Sequence, residues 1–136
     1  MLEVIFGEKG AGKSKRIIDT ANKAVKDAKG SMIFIDDDNR YMFDLKHEIR
    51  FIDASEYGID GPKMFYGFVC GLVAQDFDLE TIYIDGFLKI VKHPIVELEE
   101  LFKCLQAFAA KFKVNIIISI NGDPASSPDF LKPLLV

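Results

Sequence analysis

The chain has 136 residues, 49% of them hydrophobic and 28% charged, and a formal net charge of −4. That size and balance predict one soluble globular domain spanning 1–136, and they exclude a disordered or disulfide-stapled chain. The acidic surplus excludes broad electrostatic binding of nucleic acid, which needs Lys and Arg in excess to displace phosphate counterions. The longest apolar stretches, Phe65 to Ala74 and Val114 to Ile120, fall short of the roughly 20 residues that cross a bilayer. The N-terminus lacks the basic start and small-residue cleavage site of a secretory signal, so no membrane span and a cytoplasmic location are expected.

Apolar runs alternate with helical patterns along the chain, the order that predicts a parallel sheet covered on both faces. Leu2 to Phe6 reads as a buried strand ended by Gly7. From Lys13 to Lys29, Ile17, Ile18, Ala21, Ala24, Val25 and Ala28 recur at helical spacing, with Gly30 as a stop. Met32 to Ile35 is a second buried strand that emerges into Asp36, Asp37 and Asp38. His47 to Ile52 alternates weakly and fits either a minor edge strand or an irregular segment. After Pro62, the apolar face Met64, Phe65, Phe68, Val69, Leu72 and Val73 predicts a helix.

Thr81 to Ile84 reads as a strand ending in Asp85-Gly86, and Ile95 to Phe112 as a long amphipathic helix. Val114 to Ile120, bounded by Asn121-Gly-Asp-Pro124, is the last central strand, and the Pro-containing tail reads as a loop with a short apolar end. Gly67 and Gly71, four apart on a helix, predict close packing against the sheet. Cys70 and Cys104 lie in helical apolar patterns with no CxxC spacing, which predicts reduced thiols in the core. His47 and His93 stand alone and read as solvated or capping side chains.

The chemistry concentrates in Gly7-Glu-Lys-Gly-Ala-Gly-Lys-Ser14, a full match to G-x-x-x-x-G-K-[ST] set between a strand and a helix. Glycines let the backbone curl without side-chain obstruction, and consecutive N–H groups at the positive end of a helix form an anion nest. Lys13 is placed to reach β- and γ-phosphates, and the Ser14 hydroxyl to ligate Mg²⁺. The expected nucleotide-binding set is Gly7, Glu8, Lys9, Gly10, Ala11, Gly12, Lys13, Ser14 and Lys15.

These residues resemble the Walker A motif of the P-loop NTPase superfamily, and Thr81-Ile-Tyr-Ile-Asp85 looks like its Walker B strand. The resemblance implies an α/β fold of three αβα layers around a mainly parallel central sheet of about five strands. It also implies Mg²⁺ as cofactor, held by Ser14 and by Asp85 through a bound water. Ser119 and Asn121, at the tip of another central strand, read either as a sensor of the γ-phosphate or as strand-end caps. ATP is favoured over GTP because no Asn-Lys-x-Asp segment occurs.

Many members place a Glu directly after the Walker B Asp, but position 86 is Gly. Phe34-Ile-Asp-Asp-Asp38 is similar to the recombinase-like branch, where an acidic side chain follows the second strand, which makes Asp36 and Asp38 the candidate bases beside Asp85. Arg16 and Arg40 are candidates for phosphate contact, Arg40 as an arginine finger across a subunit contact, and both also read as surface charges. The expected function is Mg²⁺-dependent binding of a nucleoside triphosphate with slow or partner-activated hydrolysis, a protein partner or second copy completing the site.

Two alternatives stay open. One is a nucleotide switch without efficient turnover; the other is a small-molecule or nucleoside kinase, although Arg16, Arg40 and Arg50 are too few for an Arg-rich lid. Short bacterial proteins of this layout also look like pilus-retraction (twitching motility) ATPases through the two nucleotide motifs. The motors' extra N-terminal domain and further acidic and histidine motifs have no counterpart here, so no motor role is expected.

Overall fold

A computed structural model describes residues 1–136. Five strands form one parallel sheet: β1 (Leu2–Gly7), β2 (Ser31–Asp36), β3 (Ile49–Asp53), β4 (Leu79–Ile84) and β5 (Asn115–Asn121), in the spatial order β1-β5-β4-β2-β3. The helices are α1 (Lys13–Ala24), α2 (Pro62–Gln75), α3 (Phe87–Val91) and α4 (Glu99–Phe112). This is the predicted three-layer αβα arrangement, with the sheet parallel throughout.

Side chains alternate across a strand, and here the alternation divides the core. Ile33, Ile35, Ile82, Ile84, Ile116 and Ile118 join the larger cluster with residues of α2, α3 and α4. Ile5, Met32, Phe34 and Tyr83 point the other way, onto Ile17, Ile18 and Ala21 of α1. On that face Phe34 stacks between Phe51 and Tyr83, with ring centroids 6.4 and 6.2 Å away.

The weak His47–Ile52 pattern resolves as the edge strand β3, paired with β2 from Met32↔Ile49 to Asp36↔Asp53. The first helix stops at Ala24, earlier than Lys29, because the chain must turn back to enter β2. A single 3₁₀ turn (Val25–Asp27) follows, Ser31 N–H then donates to the Asp78 carbonyl at 2.9 Å, and any side chain at Gly30 would run into that carbonyl. The last helix starts at Glu99, after a separate 3₁₀ turn over Ile95–Glu97 that follows Pro94. Helix α3 has no counterpart among the predicted elements: five residues are too short to display a period.

Three expectations are corrected. Gly67 and Gly71 have no atom near the position a Cβ would take, so they face outward and are not packed on the sheet. Cys70 and Cys104 are free but only half-buried, at the margin of the core. The tail is structural: its 3₁₀ segment Asp129–Leu134 buries Leu131 and Leu134, Leu135 bridges Val4, and Val136 N–H donates to the Val4 carbonyl at 3.0 Å. It thereby covers the open edge of β1. No helix is long and apolar enough to cross a membrane.

Leu131 is fully buried, so Leu131→Ala is expected to cost about 2–5 kcal/mol through lost burial and the cavity left behind. Urea unfolding measures this; a loss below about 0.5 kcal/mol, typical of a surface position, would show that the tail does not belong to the core.

Candidate functional site

Strand β1 ends at Gly7, and the chain curls through Gly10 and Gly12, both at positive φ (87° and 83°), before α1 begins at Lys13. A non-glycine residue is strained at either position. Ala11 N–H donates to the Glu8 carbonyl at 3.1 Å and closes the turn. The Lys13 side chain, only 9% exposed, folds back over the loop, runs past Gly7 and donates to the Glu8 carbonyl at 2.7 Å. Burial holds its pKa below the ordinary lysine value, opposed only in part by the carboxylate of Asp85. Lys15 points away, to Asp19 at 3.4 Å.

Alternation brings the other groups to the same place. Asp36 continues the parity of Met32 and Phe34, Asp85 that of Tyr83, and Ser119 that of Ile117. All three therefore lie on the α1 face of the sheet, at the strand ends beside the start of α1. The Ser119 hydroxyl donates to Asp85 Oδ1, and Gly86 N–H donates to the same oxygen at 3.0 Å. Asp85 N–H donates to the Ile35 carbonyl at 2.9 Å, which fixes Asp85 beside Asp36. Asn121 pairs with Gly7 in register and stands exposed at the rim.

The acidic segment divides into three different environments. Asp36 is 1% exposed; its Oδ1 accepts the Asp37 N–H at 2.8 Å, and its Oδ2 has no hydrogen-bond partner. Burial first, then the Asp37 side chain, then the charge of Asp85 push its pKa from an ordinary 3.8 to about 8, with the Asp37 N–H opposing. Asp38 lies on the outer side, where its carboxylate holds the Arg40 guanidinium at 3.1 Å and raises the pKa of that group. Asp37 lines a small cleft of about 70 Å³ together with Ser14, Arg40, Asp85, Lys89, Ser119 and Asn121.

Of the candidate bases, Asp85 lines the cleft, Asp36 is buried outside its lining and Asp38 pairs with Arg40, while Asp37, not singled out from the sequence, also lines it. Gly86 explains how. It sits at φ 66°, and a Cβ there would collide with the Asp37 carboxylate. The position after Asp85 is glycine because Asp37 fills the space from the neighbouring strand. Lys89 was also missed; it approaches Asp37 to 3.9 Å. A wider groove of about 410 Å³ connects Lys9, Gly10, Gly12, Lys13, Ser14 and Lys15 to Arg40, Tyr41, Lys89 and Asn121. His47 is exposed beside Glu48, and His93 lies 3.4 Å from the Val91 carbonyl.

The raised Asp36 pKa sets a sign for stability. A carboxyl whose folded value lies above its unfolded one contributes fully below the unfolded value of 3.8 and loses that contribution as pH rises through about 8. Asp36→Asn keeps an acceptor for the Asp37 N–H and removes the titration. Relative to wild type, the variant is expected to gain urea stability between about pH 4 and about pH 8 and to level off above that; parallel pH curves for the two proteins would refute a neutral, buried Asp36.

No family model matches the chain, and no curated protein matches it by sequence. Among solved structures, the flagellar accessory protein FlaH from Methanocaldococcus jannaschii is similar, with a TM-score of 0.56 and 18% sequence identity, over 96% of this chain and 64% of that one. The chain thus spans less than two thirds of that protein's length. At this identity the likeness is one of fold alone, and it agrees with the α/β/α architecture described above.

Proposed function

We propose that the chain binds a nucleoside triphosphate, ATP in preference, with Mg²⁺ on the Gly7–Ser14 loop, and that it hydrolyses the nucleotide slowly or under the influence of a partner. One observation carries this reading: Lys13, Ser14, Asp85, Ser119 and the acidic end of β2 converge on one face and one end of the sheet around the loop. Backbone N–H groups at the start of α1 supply the anion site, and Lys13 would leave the Glu8 carbonyl for the phosphates.

The donor set suits Mg²⁺, a hard cation that takes oxygen ligands. Ser14 and Asp85 line the same cleft, and the unpartnered Oδ2 of buried Asp36 is an oxygen without a proton donor or cation. Ser14 would ligate the ion directly and Asp85 would orient a bound water, with Ser119 fixing the Asp85 rotamer. When bound, Mg²⁺ neutralises phosphate charge and orients the triphosphate.

Hydrolysis needs an oriented water and a proton acceptor. Asp37 is the carboxylate best placed to serve, with Asp36 behind it and Asp38 beside it. Water attacks the γ-phosphorus, the bond to the β–γ bridging oxygen breaks, and the water's proton passes to the carboxylate. Ser119 and Asn121 would respond to the γ-phosphate. Every acid here is buried or already close to a cation, which fits slow turnover and leaves a nucleotide-dependent switch as the limiting case.

A second reading, phosphoryl transfer to a small acceptor, draws on an adjoining cavity of about 220 Å³ that shares Asp37 and Lys89 with the cleft and continues to Ser55 and Lys92. Tracing labelled γ-phosphate separates the readings: free phosphate supports hydrolysis, labelled acceptor supports transfer, and tight binding with neither supports a switch.

Lys13→Ala is expected to weaken binding of a Mg²⁺-triphosphate about ten-fold or more, read by calorimetry alongside circular dichroism to verify the fold; unchanged affinity would sink the assignment. Asp85→Asn is expected to reduce phosphate release by about 10²-fold, and wild-type turnover in that variant would remove Asp85 from the metal site.

A further inference from the structure

Two cations face the cleft from outside the Gly7–Ser14 loop. Arg40 lies on the β2–β3 connection and Lys89 on α3, and both line the small cleft with Ser14 and Asp85 as well as the wider groove along Lys13. Each rests on an acid of the β2 end: Arg40 Nε is 3.1 Å from Asp38, and Lys89 Nζ is 3.9 Å from Asp37. The cationic side chains are 58% and 59% exposed. Such exposed pairs are weak, and a phosphate, with more charge and more acceptor oxygens than a carboxylate, competes for them.

The segment that carries Arg40 is anchored. Asn22 of α1 donates its side-chain amide to the Asp44 carbonyl at 2.9 Å and accepts Lys46 N–H at 2.9 Å. Tyr41 packs against the α1-side core, and the Arg40 guanidinium carbon lies 5.2 Å from its ring centroid. The backbone at Arg40 is therefore tied to the helix whose first turn carries Lys13 and Ser14, while the guanidinium stays exposed and free to re-aim.

We propose that Arg40 and Lys89 form a clamp on the γ-phosphate within a single chain, Arg40 supplying in cis the arginine that other phosphoryl-transfer sites receive from a partner. The proposal rests on the nucleotide reading above. A triphosphate draws both cations off their acids, and Lys89, on leaving Asp37, frees the carboxylate that faces the attacking water. A diphosphate offers no γ-oxygens, and the cations stay on Asp37 and Asp38. The clamp thus distinguishes the two nucleotides, and a partner, where one acts, does not have to supply the arginine.

The test is equilibrium binding of a non-hydrolysable ATP analogue and of ADP, each with Mg²⁺, to wild type, Arg40→Ala, Arg40→Lys, Lys89→Ala and Lys13→Ala over a wide range of protein concentration. Arg40→Ala is expected to lose about ten-fold in affinity for the triphosphate analogue and much less for ADP. Arg40→Lys should fall between, and Lys89→Ala, on a separate element, gives an independent reading of the same discrimination. The wild-type preference for triphosphate should not change with protein concentration.

If Arg40→Ala and Lys89→Ala, both with wild-type circular dichroism, lose affinity equally for the two nucleotides or for neither, the clamp is overturned. A triphosphate preference that grows with protein concentration overturns its cis character. Neither result touches the nucleotide reading, which fails instead, and the clamp with it, if wild type binds neither nucleotide or Lys13→Ala binds both as wild type does.

Discussion

The shared register of parallel strands constrains everything at this site. Because β1, β5, β4 and β2 run in the same direction and pair residue by residue, Gly7, Asn121, Ser119, Asp85 and Asp36 arrive at one end of the sheet together. Alternation then selects the face. The isoleucines of β5 and β4 that fill the α2–α4 side leave the odd positions, Ser119 and Asp85, for the α1 side, and on β2 the same rule turns Asp36 that way. A one-residue slip of any of these strands would send its polar end group into the larger apolar cluster. The packing of the core and the placement of the site are one choice.

That choice carries an electrostatic cost. Asp36 and Asp85 are 1% and 6% exposed and adjacent, and Asp36 responds by holding its proton. Lys13, also buried, bonds to a backbone carbonyl, which is a weaker partner for an ammonium than a phosphate is. Ser119 and Gly86 hold one oxygen of Asp85. The site thus concentrates groups whose protein partners satisfy them incompletely. A phosphate for Lys13 and a cation near Asp85 and Asp36 would relieve the same strain that burial creates, so ligand binding and local stability should be coupled.

The contiguous part of the site is the part legible in the sequence. Gly7 to Ser14 lies on one uninterrupted segment, and its chemistry follows from residue types at fixed spacing. Asp85 and Ser119 were legible because strand ends can be read from apolar runs. Asp37 and Lys89 were not, since their places at the cleft depend on the loop after β2 and on the short helix α3 at the sheet edge. Gly86 is instructive: read along the chain it is a missing acid, while in space it is the clearance that lets Asp37 approach. Spacing could not choose among three consecutive aspartates, because the buried, cleft-lining and solvent-facing positions differ by single steps of the backbone. The helix ends at Ala24 and Glu99 escaped for a related reason, being set by where the chain must turn and not by the apolar period. The outward faces of Gly67 and Gly71 likewise depend on which side of α2 meets the sheet.

The β2–β3 connection links these two levels. Its first residues supply Asp37 and Asp38, its middle supplies Arg40 and Tyr41, and its end is held by Asn22 before the chain enters the edge strand β3. The weakly patterned edge strand therefore has a purpose in the site: pairing with β2 from Met32 to Asp36 returns the loop to the sheet and limits how far Arg40 can wander. Since Asn22 lies on the helix that begins at Lys13, the far end of the loop is referred to the same rigid body as the Gly7–Ser14 turn. In the proposed clamp, movement of the two cations would then be left to side-chain rotation, which needs no rearrangement of the fold and would follow nucleotide exchange on the timescale of exposed rotamers.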